Sequence, residues 1–177
     1  MIKTWSENEE VLYISEGISL ITQFDLQELK RLALINPRHR VRLCTHRSPD
    51  DRLHEMFIVH AKDCYVRPHK HIQKTESMSI LEGEVDVILF NEDGEICQVN
   101  QLGAPETGKI FYQKLPEETF HMLIIRTELL VFHEITLGPF LKENTIFPEW
   151  APIDYGADSL EFFNKINLKI KKEIEEI

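Results

Sequence analysis

Residues 68–83 read PHKHIQKTESMSILEG. Successive side chains of a strand point to opposite faces, so His69 and His71 project together. In the run that follows, Glu76, Met78 and Ile80 share one face and can line an interior. Gly83 then permits a tight turn that brings the chain back as EVDVILF. Two imidazoles and a carboxylate converging on one interior make a facial ligand set for a transition metal. A fourth ligand has to come from a later strand, and His121, in PEETFHML, is placed to supply it.

The surrounding chain fits such an interior. From about residue 39 to 136, short runs rich in β-branched and aromatic residues alternate with turn signals: HRVRLC, EMFIVH, CYVRPH, ESMSIL, EVDVILF, EICQVN, KIFYQ, TFHMLII and LLVFHEIT. Many short, evenly spaced strands predict an all-β barrel or sandwich, with jelly rolls among the options. Before them, VLYISEGISLI (residues 11–21) predicts two short strands meeting at Glu16-Gly17. FDLQELKRLALINP predicts a helix over 22–36, with Asp25 and Glu28 as a capping box and Leu26, Leu29, Leu32 and Ile35 on its apolar face. After the barrel, residues 158–177 predict an amphipathic helix. Asp158 or Ser159 can cap it, and Leu160, Phe163, Ile166, Ile170, Ile174 and Ile177 form its stripe. Without linker, repeat or low-complexity tract, residues 1–177 read as a single domain: one barrel with a helix at each end.

Bulk properties narrow the classes. A 177-residue chain that is 42% hydrophobic can build a core without disulfides. The net charge of −10 argues against a nucleic-acid or anionic-membrane partner, both of which attract basic faces. Within that acidic chain, Arg38, Arg40, Arg42, Arg47 and Arg52 cluster, leaving room for a local anion site. Cys44, Cys64 and Cys97 lack CxxC spacing and read as free thiols of a reducing compartment. MIKTWSENEE carries no apolar signal core, and the apolar run around residue 132 is too short to span a bilayer, so a cytoplasmic location is expected.

The spacing of the quoted stretch is more specific than its residue types. His69-x-His71, a four-residue gap, Glu76, a six-residue gap and Gly83 resemble the first cupin motif, and Pro116 with His121 resembles the second. Asp63 and Glu118 stand where those motifs carry glycine, and Ile125 stands where the second carries asparagine. A wider resemblance is carried by NPRHRVRLCTHRSPDDRLHEMF, CYVRPHKH, ESMSILEGEVDVILFNEDGEI, FHEITLGPF and FPEWAP, which are similar to the WbuC-type cupin metalloproteins over residues 22–152. The resemblance implies a cupin (double-stranded β-helix, or jelly-roll) barrel and one divalent metal, Fe, Mn, Ni, Zn or Cu, on His69, His71, Glu76 and His121. It also implies a setting among bacterial surface-polysaccharide (O-antigen) genes.

Strand parity suggests what stands beside the metal. Tyr65 and Arg67 share the face of His69 and His71, although Pro68 removes a ladder donor and can distort that parity. Arg42, with His46 further along the same face, is a candidate for holding an anion, the alternative being a solvated outer face. Glu134 shares a face with Phe132 and Thr136 and can serve as a general base if that face is interior. His39, His54, His60 and His133 have no ligand-like spacing and read as structural. The expected function is a metal-dependent isomerase or epimerase acting on a small anionic sugar or nucleotide-sugar. An oxygenase and a non-catalytic ligand-binding module are the alternatives. A homodimer is expected because sheet edges need cover and twofold dimers are the commonest assemblies.

Overall fold

The computed structural model describes residues 3–15, 17–153 and 156–175. The chain runs through β1 (Thr4–Ser6), β2 (Val11–Ile14), α1 (Gln23–Ile35), β3 (Arg40–Cys44), β4 (Leu53–Ala61), β5 (Lys70–His71), β6 (Glu76–Glu82) and β7 (Glu84–Phe90). It continues through β8 (Ile96–Gly103), β9 (Tyr112–Leu115), β10 (Phe120–Ile125), β11 (Leu129–Leu137), β12 (Thr145–Ile146) and α2 (Ala157–Glu175). A seven-stranded sheet has the order β1-β2-β3-β4-β11-β6-β9, and a three-stranded sheet the order β10-β7-β8. β12 pairs with β5, and an isolated bridge from His69 to His121 ties that small ribbon to β10.

Alternating side chains sort the apolar residues into three layers. Met56, Ile58, Met78, Ile80 and Phe132 of the large sheet meet Val85, Val87, Leu102, Leu123 and Ile125 of the small one, forming the barrel interior. The opposite face of the large sheet, with Val41, Leu43, Val59 and Val131, is covered by Leu29 and Ala33 of α1. The opposite face of the small sheet, with Ile88, Phe90, Met122 and Ile124, is covered by Ile166 and Ile170 of α2. Burying each such aliphatic side chain contributes roughly 1.5–3 kcal/mol, so both helices are held by packing rather than by propensity. Asp86, buried on the small sheet's outer face, accepts from Arg126, which also donates to Asn167 of α2.

Several local expectations are corrected. α1 is capped one turn early: the Asp25 carboxylate accepts from the Thr22 backbone N–H and hydroxyl, while Glu28 accepts from Arg31. Ile35 is exposed, because the helix leans on Leu29 and Ala33. The second strand expected in 11–21 does not form: Ile18 and Leu20 are exposed and Glu16 lies outside the described residues. CYVRPH is not a strand before Lys70, since Pro68 cannot donate to a ladder. On α2, Leu160 is exposed, and the packed face runs through Phe162, Phe163, Ile166 and Ile170. The side chain of Ile174 and all of Ile177 lie outside the described residues. Ser159 donates its hydroxyl to the Gly156 carbonyl instead of capping the helix.

Two turns set the site. Gly83 has φ +84, and a Cβ there would come within 2.3 Å of the Leu129 carbonyl oxygen. Glu118 also has a left-handed backbone, φ +61, while its N–H donates to the His71 carbonyl at 2.8 Å. The turn before β10 therefore forms without the usual glycine, at a left-handed cost of roughly 1–2 kcal/mol. Glu118→Gly relieves that cost less the entropy glycine loses on folding, for a net gain of about 0.5–1 kcal/mol. A rise of about 1–4 °C in Tm is expected by calorimetry; an unchanged or lower Tm would contradict the strained turn.

Candidate functional site

The two sheets meet at a cluster of polar side chains on the barrel's inner face. Glu76 opens β6, paired with Thr136 of β11, and its side chain turns inward with Met78 and Ile80. His121 lies on β10, inward with Leu123 and Ile125, on the opposite wall. His69 sits beside it through the bridge to His121, and His71 lies on β5. The ring centroids of His69 are 4.5 Å from those of His121 and 5.0 Å from those of His71. Glu76 Oε1 is 2.8 Å from His121 Nε2, and Oε2 is 3.4 Å from His71 Nε2. Glu76 and His121 are buried, whereas His69 and His71 are half-buried and open to a cavity.

The outer ring nitrogens are tethered. His69 Nδ1 is 2.8 Å from the Arg67 carbonyl and His121 Nδ1 is 2.9 Å from the Thr119 carbonyl. A carbonyl only accepts, so both Nδ1 atoms carry the hydrogen and, in the neutral rings, Nε2 presents a lone pair to the cluster. His71 Nδ1 lies 3.2 Å from the Thr145 hydroxyl. Backbone tethers on the far nitrogen are the arrangement that orients imidazoles toward a metal. Among the described residues, no group of three or more His, Cys, Asp or Glu side chains is spaced, as it stands, to hold a metal ion. The donor set nevertheless fits one. Two ligands each about 2.1 Å from an ion and at right angles are about 3.0 Å apart, and the 2.8 and 3.4 Å contacts bracket that separation.

The electrostatics follow from burial against one shared charge. Burial would raise the Glu76 carboxyl, but the His121 charge and bonds from His121 and His71 hold it well below the usual carboxylate range. Burial would lower His121, and the Glu76 carboxylate overrides it and pulls it up. His69 is pushed down to about 3 by burial and by its neighbour His121. A positive charge is thus drawn to the gap between Glu76 and His121, where two lone pairs otherwise oppose each other.

A cavity of about 930 Å³ opens from this cluster, bounded by the inner faces of β3, β4, β11 and β6. Glu134, on β11 beside Met78 and Met56, lines it, as do Arg42 and His46. Arg42 belongs to this inner face, whereas Arg38 and Arg40 are tied to Glu10 at its edge. The His46 ring stacks on His54 at 4.0 Å, and its Nδ1 is 3.2 Å from the Glu55 carbonyl. Burial pushes His46 down to about 4 and His60 to about 3, so both are neutral near pH 7. Tyr65 is a correction: its ring packs against Phe162 and Phe163 of α2, and its hydroxyl donates to the Pro152 carbonyl. Arg67 borders the cavity, but its guanidinium donates to the Ala151 and Pro148 carbonyls and lies over Phe147, clamping the segment before α2. Parity failed at Tyr65 because residues 64–68 are not strand, whereas Arg67 does line the cavity although its guanidinium is held by backbone carbonyls. Lys74, in the loop before β6, lines the cavity and went unread for the same reason. His54 and His60 line it too, on the inward face of β4 shared by Met56 and Ile58.

Burial, then the Glu76 charge, pushes the Glu134 carboxyl up to about 8, against the pull of Arg42, His121 and Lys74. The unfolded chain ionises this group from the ordinary value of 4.5, so folded stability declines as pH rises from there and the loss is complete above about 8. In chelator-treated protein, Glu134→Gln removes that decline. Its Tm is expected to exceed wild type by a margin that widens from about pH 5 to about pH 8. Parallel Tm curves would contradict a buried, ionisable Glu134.

Comparison with known proteins bears on the fold. A family model described as a domain of unknown function (DUF6016) matches residues 21–102, from α1 into β8. No curated protein matches the sequence. The crystal structure of protein SO0799 from Shewanella oneidensis superposes with a TM-score of 0.50 at 11% identity, covering 60% of this chain and 72% of that one. The Lactobacillus farciminis oxalate decarboxylase formate complex gives a TM-score of 0.44 at 16% identity, covering 55% of this chain and 27% of that one. A Bacillus subtilis oxalate decarboxylase with Mn(II) centres gives 0.44 at 16%, covering 55% and 24%. The chain thus spans about a quarter of the length of those decarboxylases. Among the described residues no helix is long and apolar enough to cross a membrane. The two facing sheets, with a helix packed on the outer face of each, are a cupin jelly roll.

Proposed function

We propose that this protein is a metal-dependent cupin enzyme whose single divalent ion is held by His69, His71, Glu76 and His121. The observation that carries the reading is the tethering of His69 and His121 by Nδ1–H to backbone carbonyls, which leaves Nε2 of each ring to ligate, that of His121 lying 2.8 Å from the buried Glu76 carboxylate. Such opposed acceptors call for a cation between them. When bound, the ion would supply Lewis acidity to a substrate oxygen.

The chain's own residues supply the remainder. Three neutral imidazoles, one carboxylate and a divalent ion sum to about +1, which favours an anionic oxygen ligand. Arg42 brings a further positive charge to the same cavity. Glu134, raised to about 8, can give or take a proton near neutral pH, the property required of a general acid or base in isomerisation or epimerisation. The neutral His46 is a hydrogen-bonding group for substrate hydroxyls. The likeness of residues 22–152 to WbuC-type cupins supports a sugar-derived acid or nucleotide-sugar substrate from bacterial surface-polysaccharide synthesis. The free thiols of Cys44, Cys64 and Cys97 support a cytoplasmic setting for the reaction.

The test is elemental analysis of protein purified without a chelating tag. Wild type is expected to carry about one transition-metal ion per chain, and His71→Ala, which removes a half-buried ligand without opening the core, to lose it. Reloading is expected to raise wild-type Tm, the stabilisation growing with free metal, and to leave His71→Ala unmoved. Wild type that neither carries nor takes up metal would overturn the proposal.

A further inference from the structure

The side chains of the cluster are not equally supported by the sheets. Glu76 and His121 stand on β6 and β10, strands of seven and six residues. His71 stands on β5, which is two residues long, and His69 lies before it in an isolated bridge. Both of these rings are half-buried beside the cavity, where water competes for their nitrogens. A ring in that position keeps its direction only if its outer nitrogen is held from behind.

Residues 144–151 lie behind these two rings and are anchored without them. β12 pairs with β5, Thr145 opposite His71 and Ile146 opposite Lys70, and the Ile72 N–H donates to the Asn144 carbonyl at 2.9 Å. Arg67, whose own carbonyl holds His69, donates its guanidinium to the Pro148 and Ala151 carbonyls, both at 3.0 Å. The Trp150 indole donates to the Glu92 carbonyl at 3.0 Å, and its ring packs on Phe90 and Phe120 of the small sheet. From this anchored segment the Thr145 hydroxyl reaches to 3.2 Å from His71 Nδ1.

We propose that Thr145 is the positioning residue of His71, its hydroxyl accepting the Nδ1 hydrogen so that Nε2 is left to ligate. The inference rests on the metal-centre reading. His71 Nε2 already lies 3.4 Å from Glu76 Oε2, so a ring held in this direction meets the carboxylate at a separation two ligands of one ion can share. The tethers of His69 and His121 are backbone carbonyls, which every residue type carries. That of His71 is a side chain, and so a substitution can remove it. Valine keeps the shape and strand preference of threonine but has no acceptor. The half-buried Nδ1–H it leaves can turn to water, so the fold is kept while the direction of the ring is lost.

The test measures zinc affinity of the full-length protein by competition with a chelator, together with the Tm of each metal-free sample. Thr145→Val is expected to bind zinc about 10–100-fold more weakly than wild type, with its metal-free Tm unchanged. Thr145→Ser, which restores the hydroxyl, is expected to bind close to wild type. Equal affinity in Thr145→Val and wild type would overturn the positioning role while leaving the metal centre standing. Weakening that Thr145→Ser shares, or that comes with a lowered metal-free Tm in Thr145→Val, would make Thr145 a strand residue only and overturn it as well. Wild type that takes up no zinc or other divalent transition metal would remove the metal centre and the positioning role together.

Discussion

A buried carboxylate has to be paired, and the partners of Glu76 come from the far wall of the barrel. Glu76 stands on β6 of the large sheet and His121 on β10 of the small one, so their 2.8 Å contact spans the interior. Leaving such a carboxylate unpaired would cost several kcal/mol. The register of both sheets, the turn at Gly83 and the left-handed Glu118 before β10 all serve to bring these two groups together. The helices act at one remove: α1 and α2 bury the outer faces and so fix which faces point inward.

This constraint divides the interior. Where Ile80, Val85, Val87 and Leu102 face one another, the barrel is closed and apolar. Toward the start of β6 and the end of β11 the inward positions become Glu76, Glu134 and Thr136, and the barrel opens into the cavity. Charges there perturb one another strongly because little water separates them. Glu76 takes the positive neighbours, and Glu134, one strand away, is left raised beside it. Two carboxyls of one chemical kind thereby acquire different states, one held ionised among histidines and one able to hold a proton near neutral pH.

Strand parity made much of this legible before any coordinates. The inward set Glu76, Met78 and Ile80 and the faces of Arg42 and Glu134 follow from a period of two, and the strands bear it out; His69 and His71 also meet, although His69 sits in an isolated bridge before β5. Parity cannot say which face is inward when both are apolar. In β4 the outward Phe57 and Val59 are as hydrophobic as the inward Met56 and Ile58, and so His54 and His60 read as structural. Parity also has no force where the ladder stops: Tyr65 and Arg67 precede Pro68, outside any strand, and went to α2 and to the segment before it. Lys74, in a loop, carried no periodic signal. Helix boundaries were legible to within a residue or two, but caps and exposed apolar positions such as Ile35 and Leu160 depended on contacts made only after folding.

The central claim is that the inward nitrogens of His69, His71 and His121, together with Glu76, form one coordination sphere. X-ray absorption at the edge of the bound metal tests it most directly. The account predicts a shell of nitrogen and oxygen at about 2.0–2.2 Å with the multiple-scattering signature of about three imidazoles. A shell of oxygen alone, or one containing sulfur from a cysteine, would contradict it.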